Sequence, residues 1–178
     1  SSAENAPALK IALAEAAGRL GVQGAAAVLL TQLKSDPSFN VRVASLRALQ
    51  ALKVPNMDEV MKLAVADADA NVRRAALAVL PSLALSDAAK VQSLTTVIRG
   101  GTVVDQQAGF EVLGTLKSSE AEQALASFFD GLAAGKMPPA VQIDLVDAMQ
   151  ANGAPALEAK LEAHRKTKAV DTVALAFR

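Results

Sequence analysis

The chain has no cysteine, no tryptophan, no tyrosine and a single histidine, His164. Without cysteine there is no disulfide, no thiolate ligand and no cysteine nucleophile, and that absence fits an oxidising or a reducing compartment equally. With one histidine, a metal site or a histidine-containing triad needs other residue types to complete it. Aromatic residues are 3% of the chain, which leaves few platforms for stacking. Lys plus Arg equals Asp plus Glu at 18 each, so no global field concentrates nucleic acid, anionic lipid or acidic substrates. Long apolar runs are also missing: Gly21 to Leu33 and Ala75 to Ser86, the longest uncharged stretches, fall short of the roughly 20 residues that span a bilayer. They read as buried helices. The opening Ser-Ser-Ala-Glu-Asn has neither a basic n-region nor an apolar h-region, so no signal peptide is expected there. Strand-like alternation of Val, Ile and Thr is absent, Ala and Leu dominate, and the expected class is all-α.

What the chain does have is an internal repeat. The frame Asp-x-x-x-Asn-Val-Arg occurs as Asp36, Asn40 and Arg42 and again as Asp67, Asn71 and Arg73, in register at 31 residues. Leu46, Leu49 and Leu52 follow the first copy, and Leu77, Leu80 and Leu83 follow the second at identical offsets. A period of this size in a helical pattern means stacked helix pairs. An earlier, degenerate copy aligns Leu9, Lys10, Ala12, Ala17 and Leu20 with Val41, Arg42, Ala44, Leu49 and Leu52 at an offset of −32. Later, Ala108, Leu113 and Leu116 match Ala75, Leu80 and Leu83 at +33, with Val103-Val104-Asp105 where the Arg would stand, and a last copy lies around Val141 to Met149. The expected architecture is a right-handed α-solenoid of about five antiparallel helix pairs. It forms one domain over 1–178, with repeats 7–35, 36–66, 67–100, 101–136 and 137–168 and a tail 169–178.

Helix boundaries carry their own signals. Asn56-Met-Asp-Glu59 and Ser119-Glu-Ala-Glu122 fit a capping frame at the start of second helices. Pro7, Pro139 and Pro155 suit first turns, where a missing N–H costs nothing. Pro81 lies inside the helix that begins at Val72 and is expected to kink or break it.

Two-helix units of this length, with Asp and Val-Arg opening an Ala/Leu-rich first helix, resemble HEAT repeats. In that family the Asp and Arg form ladders between successive repeats, and a Pro within the first helix is common; Asp36, Arg42, Asp67, Arg73 and Pro81 match. The end of the chain, Leu161 to Arg178, is similar to the close of the HEAT segment in large secreted bacterial proteins. There a propeller similar to sugar dehydrogenases precedes the repeats and a cytochrome-c-like haem domain follows. No Cys-x-x-Cys-His haem motif is present here, so the resemblance implies the spacer portion alone, in an extracytoplasmic setting.

Asp36, Asn40, Arg42, Asp67, Asn71 and Arg73 are expected to form a structural ladder rather than ligand contacts, because a fixed period with a matching acid is what such a ladder requires. Arg47, Lys53 and Arg74 add positive charge nearby and read as solvated flanks. Glu158 and Glu162 are one turn apart and suit a cation, but Lys160, Arg165, Lys166 and Lys168 oppose it, so no metal is expected. Asp144 and Asp147 offer paired carboxylates with no nucleophile beside them. Gly100-Gly101 reads as a helix stop after Arg99 rather than a phosphate cradle. Phe110, Phe128 and Phe129 are the main aromatic mass, and Phe177 ends the chain; adjacent phenylalanines face different directions, so core packing and a partly exposed contact point both remain open.

No catalytic residue and no cofactor are expected. The function expected is a non-catalytic protein-interaction or structural spacer module within a larger multidomain protein. Its partners are proteins or adjacent domains of the same polypeptide, with no nucleic acid, no membrane insertion and no metal. Second helices would line the inner surface, with Lys62, Lys90, Thr96, Arg99 and Gln123 as concave-face contacts, and an apolar strip at one end would mark docking to a neighbour. The enzymatic alternative is a HEAT-like fold that excises damaged DNA bases or attaches pigments. Neutral charge and the lack of Trp and Tyr disfavour it.

Overall fold

A computed structural model describes the backbone of residues 2–176 and the side chains of residues 6–167. Phe177, Lys168 and the side chains of the tail 169–178 lie outside the described residues. Among the described residues ten α-helices follow one another: α1 (Ser2–Leu20), α2 (Ala26–Ser35), α3 (Phe39–Ala51), α4 (Met57–Val65), α5 (Ala70–Val79), α6 (Asp87–Gly100), α7 (Val103–Thr115), α8 (Ser119–Ala133), α9 (Gln142–Asn152) and α10 (Pro155–Ala176). There is no strand among the described residues, so the fold is all-α and compatible with a helical repeat. The divisions expected at 35/36, 66/67, 100/101 and 136/137 fall between helices. No helix among the described residues is long and apolar enough to cross a membrane.

Local chemistry sets the helix ends, in places differently from the sequence reading. Pro81 breaks its helix: α5 stops at Val79 and the chain tightens into a 3-10 turn, Leu80–Ser82. That geometry tolerates the missing N–H which an α-helix interior does not. Pro7 lies inside α1 rather than in a first turn, whereas Pro139 opens a 3-10 turn and Pro155 opens α10. Ser118, not Ser119, caps α8, its hydroxyl accepting from the Ala121 N–H at 3.3 Å. Asn56 occupies the N-cap of α4 without capping it; its amide donates instead to Glu59 at 3.5 Å. A full capping box opens α7, where Thr102 and Asp105 each accept the other's backbone N–H.

The chain groups into two compact units, residues 1–97 and 98–178, with the boundary inside α6. In the first, α3 is the hub: α1, α2, α4 and α5 all pack on it, around Val41, Leu46, Leu49, Val60 and Met61. In the second, α9 packs on α7, α8 and α10 around Phe110, Leu113, Leu125, Leu145 and Leu157. Two close crossings depend on glycine. A Cβ added at Gly18 would sit 3.1 Å from the Ala48 Cα, and one at Gly114 would sit 2.8 Å from both the Cα and the carbonyl oxygen of Ala148. Small residues thus let α1 approach α3, and α7 approach α9, almost backbone to backbone.

Candidate functional site

The repeated frame builds a chain of polar contacts through the first unit. Asp36 ends α2 in extended conformation, and its Oδ1 accepts the Ser38 N–H at 3.0 Å, which turns the loop into α3. Asp67 does the same with the Asp69 N–H at 2.8 Å. Each aspartate is then met by a cation from an earlier helix. Lys10 on α1 reaches Asp36 at 2.7 Å, and Arg42 on α3 grips Asp67 with two parallel bonds, Nε at 2.8 Å and a terminal nitrogen at 2.9 Å. Each arginine also turns its other terminal nitrogen back on its own loop: Arg42 to the Asp36 carbonyl and Arg73 to the Asp67 carbonyl, both at 2.7 Å, with Pro37 and Ala68 carbonyls beside them.

Burial decides how much these contacts weigh. The side chains of Arg42 and Asp67 are 14% and 10% exposed, so their bidentate pair is shielded, whereas Lys10 is 43% exposed and its pair with Asp36 is more screened. Burial alone would push the Asp36 carboxyl up; hydrogen bonds from Lys10 and Ser38 and the charges of Lys10 and Arg42 outweigh it and hold the group below the usual aspartate range. Arg42 is held above its ordinary value, chiefly by its bond to Asp67. Asn71 accompanies its loop by donating to Asp69 at 3.1 Å, while Asn40 is exposed beside the α1–α3 crossing. Lys10 was visible in the −32 alignment with Arg42, and that match was the signal for its place here.

The other sequence candidates are dispersed. Lys62 pairs along its helix with Asp58 at 3.8 Å, Lys90 donates to the Pro81 carbonyl at 3.1 Å, and Thr96 bonds back to the Gln92 carbonyl at 3.0 Å. Gln123 is exposed on α8. Glu162 pairs with Arg165 at 3.5 Å, and Lys160 with Asp130. Asp144 accepts from Gln107 at 3.3 Å. His164 meets Phe129 edge to face, ring centroids 5.3 Å apart. Among the described residues, no group of three or more metal-ligating side chains converges.

Arg99 has a more specific setting. Its guanidinium lies 5.8 Å from the centre of the Phe128 ring, and Phe128 in turn packs edge to face on buried Phe110 at 5.2 Å. Phe129 is the buried member of the adjacent pair and Phe128 the half-buried one. Arg99 and Phe128 line an open groove of about 270 Å³ in the second unit, together with Lys136, Met137 and Pro138. The sequence reading missed Lys136 and its neighbours, because only the turn after α8 brings them into the same groove as Arg99. No family model matches the chain, and no curated protein matches it.

Proposed function

We propose that the chain is a HEAT-like segment, a right-handed solenoid of about five antiparallel helix pairs. It serves as a non-catalytic interaction or spacer module of a larger protein, with proteins or adjacent domains of the same polypeptide as its partners. The observation that supports this reading is the setting of Arg42. All three of its guanidinium nitrogens bind Asp67 or the backbone at Asp36 and Pro37, so the most conspicuous repeated charge is turned onto the scaffold. A guanidinium that serves a ligand keeps donors free for it. The packing of first helices on first helices, α1 on α3, α3 on α5 and α7 on α9, supports the same reading.

Arg99 and the Phe128 groove then become the polar and aromatic contact of the module in its second unit, ahead of Lys62, Lys90 and Thr96, whose heads are already occupied. Small-angle scattering tests the solenoid. A compact sphere of 178 residues has a radius of gyration of about 16 Å. A solenoid gives a clearly larger value, and a monomer measured at about 16 Å refutes it.

A further inference from the structure

The most exposed apolar surface of the first unit lies on α1 and the turn after it. Leu9, Leu13, Leu20 and Val22 are 61%, 61%, 78% and 46% exposed. Two independent markers fix how this segment registers on the next repeat. Lys10 and Arg42, 32 residues apart, hold successive aspartates; Gly21 and Lys53, also 32 apart, both take left-handed backbone at φ 69° and 51° just after their helices. At that offset the four exposed residues correspond to Val41, Ser45, Leu52 and Val54, which are 0%, 0%, 3% and 5% exposed. One repeat further, Val72, Ala76 and Leu83 are buried as well. The fourth, Leu85, is partly exposed, so the first three positions are interior in both later copies of the first unit and exposed only in the first.

What covers them in the second copy is visible. Ser45 donates to Gln32 of α2 at 3.0 Å, and the Leu52 carbonyl accepts from Gln23, in the turn between α1 and α2, at 3.0 Å. The cover is the preceding helix pair. We infer that the outer face of α1 is a docking surface for a further two-helix unit, seated on α1 as α1 and α2 are seated on α3. The occupant's chemistry follows from the covering face of the first pair. Its first helix carries small residues at the crossing, as Ala14, Ala17 and Gly18 do, and its second helix offers leucines in the manner of Leu29 and Leu33. An apolar strip of this kind on a soluble surface marks an interaction site, and the register states which interaction.

The inference rests on the helical-repeat reading, and its test is separable from the scattering measurement. Because the chain lacks cysteine, Leu13→Cys gives a single reporter thiol, and Val28→Cys a control. Val28 is 60% exposed, and it corresponds, at the 31-residue offset that relates α2 to α4 and Asp36 to Asp67, to the exposed Glu59. Each reporter is placed in the original chain and in a tandem variant with a second copy of residues 4–35 inserted directly before Glu4, which preserves the 32-residue register. Thiol labelling at Leu13→Cys is expected to slow by roughly tenfold or more in the tandem chain, since a covered site labels only through local opening, while Val28→Cys keeps its rate. A second tandem variant, carrying residues 36–66 in the same place, guards against an inserted copy that does not fold. Protection in either variant supports the inference. Unchanged Leu13→Cys labelling in both overturns it, as does protection in the original chain that rises with its concentration, which would make a second copy the occupant. A large radius of gyration with an unprotected thiol sinks the docking surface and leaves the repeat reading standing.

Discussion

Replacing Gly114 by alanine sets two physical effects of opposite sign against each other. Gly114 sits within α7 at an ordinary helical φ, so on propensity alone alanine should stabilise by about 1 kcal/mol. The added methyl, however, would lie 2.8 Å from the Cα and carbonyl oxygen of Ala148, and those atoms belong to the backbone of α9 rather than to a side chain that can swing away. The two helices must separate, and overpacking of this kind costs about 1–3 kcal/mol, with rigid backbone placing it at the upper end. The net expectation is a loss of about 1–2 kcal/mol, or roughly 2–8 °C in melting temperature for a chain of this size. Two companions calibrate the result. Gly18→Ala meets Ala48 at 3.1 Å and is expected to fall between, while Gly131→Ala in α8 meets nothing within 4 Å and is expected to gain up to about 1 kcal/mol. Thermal melts followed by circular dichroism give the order, Gly131→Ala above the parent, then Gly18→Ala, then Gly114→Ala. A Gly114→Ala variant as stable as Gly131→Ala refutes the close α7–α9 crossing.

Three further outcomes follow from named contacts. A double-mutant cycle on Arg42→Ala and Asp67→Ala, read from urea midpoints, is expected to give a coupling of about 1–3 kcal/mol, as suits a shielded bidentate pair; additivity within about 0.3 kcal/mol would contradict it. Asp36, held below its unfolded value, contributes stability that is present above about pH 4 and lost as pH falls through its lower folded value, so Asp36→Asn should flatten the acid limb of a stability-against-pH curve. An unchanged slope below pH 4 would count against the Lys10 and Ser38 contacts. Asn152 is buried and donates to the Leu116 carbonyl at 2.8 Å, so Asn152→Ala should cost about 1–3 kcal/mol by chemical denaturation, with no cost telling against that bond.

The all-helical class was legible because it depends on local signals, periodic leucines and Ala-rich stretches, and the Asp of each repeated frame falls in a loop between helices. The aspartate and arginine positions were legible for the same reason. A rung from Arg42 to the acid of the following repeat, Asp67, is what the resemblance implied; the second bond, from Arg42 to the carbonyl of Asp36 in its own frame, was not legible. Glu122, three residues on, favours Ser119 in sequence, and only the extended backbone at Ser118 decides for its neighbour. Gly114 reads locally as a weak point in a helix; its necessity comes from a residue 34 positions away. The Arg99 groove is likewise a product of tertiary packing, with Lys136 supplied by a turn whose sequence carries no chemical motif.

The polar contacts of the first unit also have a direction. In each observed rung the cation stands on a first helix and the acid stands in the loop that leads into the following first helix, so Lys10 serves Asp36 and Arg42 serves Asp67. Each aspartate loop is thereby held twice, at its carboxylate by the cation of the earlier helix and at its carbonyl by the arginine side chain of its own repeat. Reversing a helix pair would put cation against cation at one edge and leave an acid unmatched at the other, which costs more than the loss of one bond when the groups are shielded. Glycine at the crossings fixes where the first helices meet, and the directional rungs fix the loops that lead into them, so the sequence is strict at the crossing glycines and at the loops and permissive along the runs of alanine and leucine between.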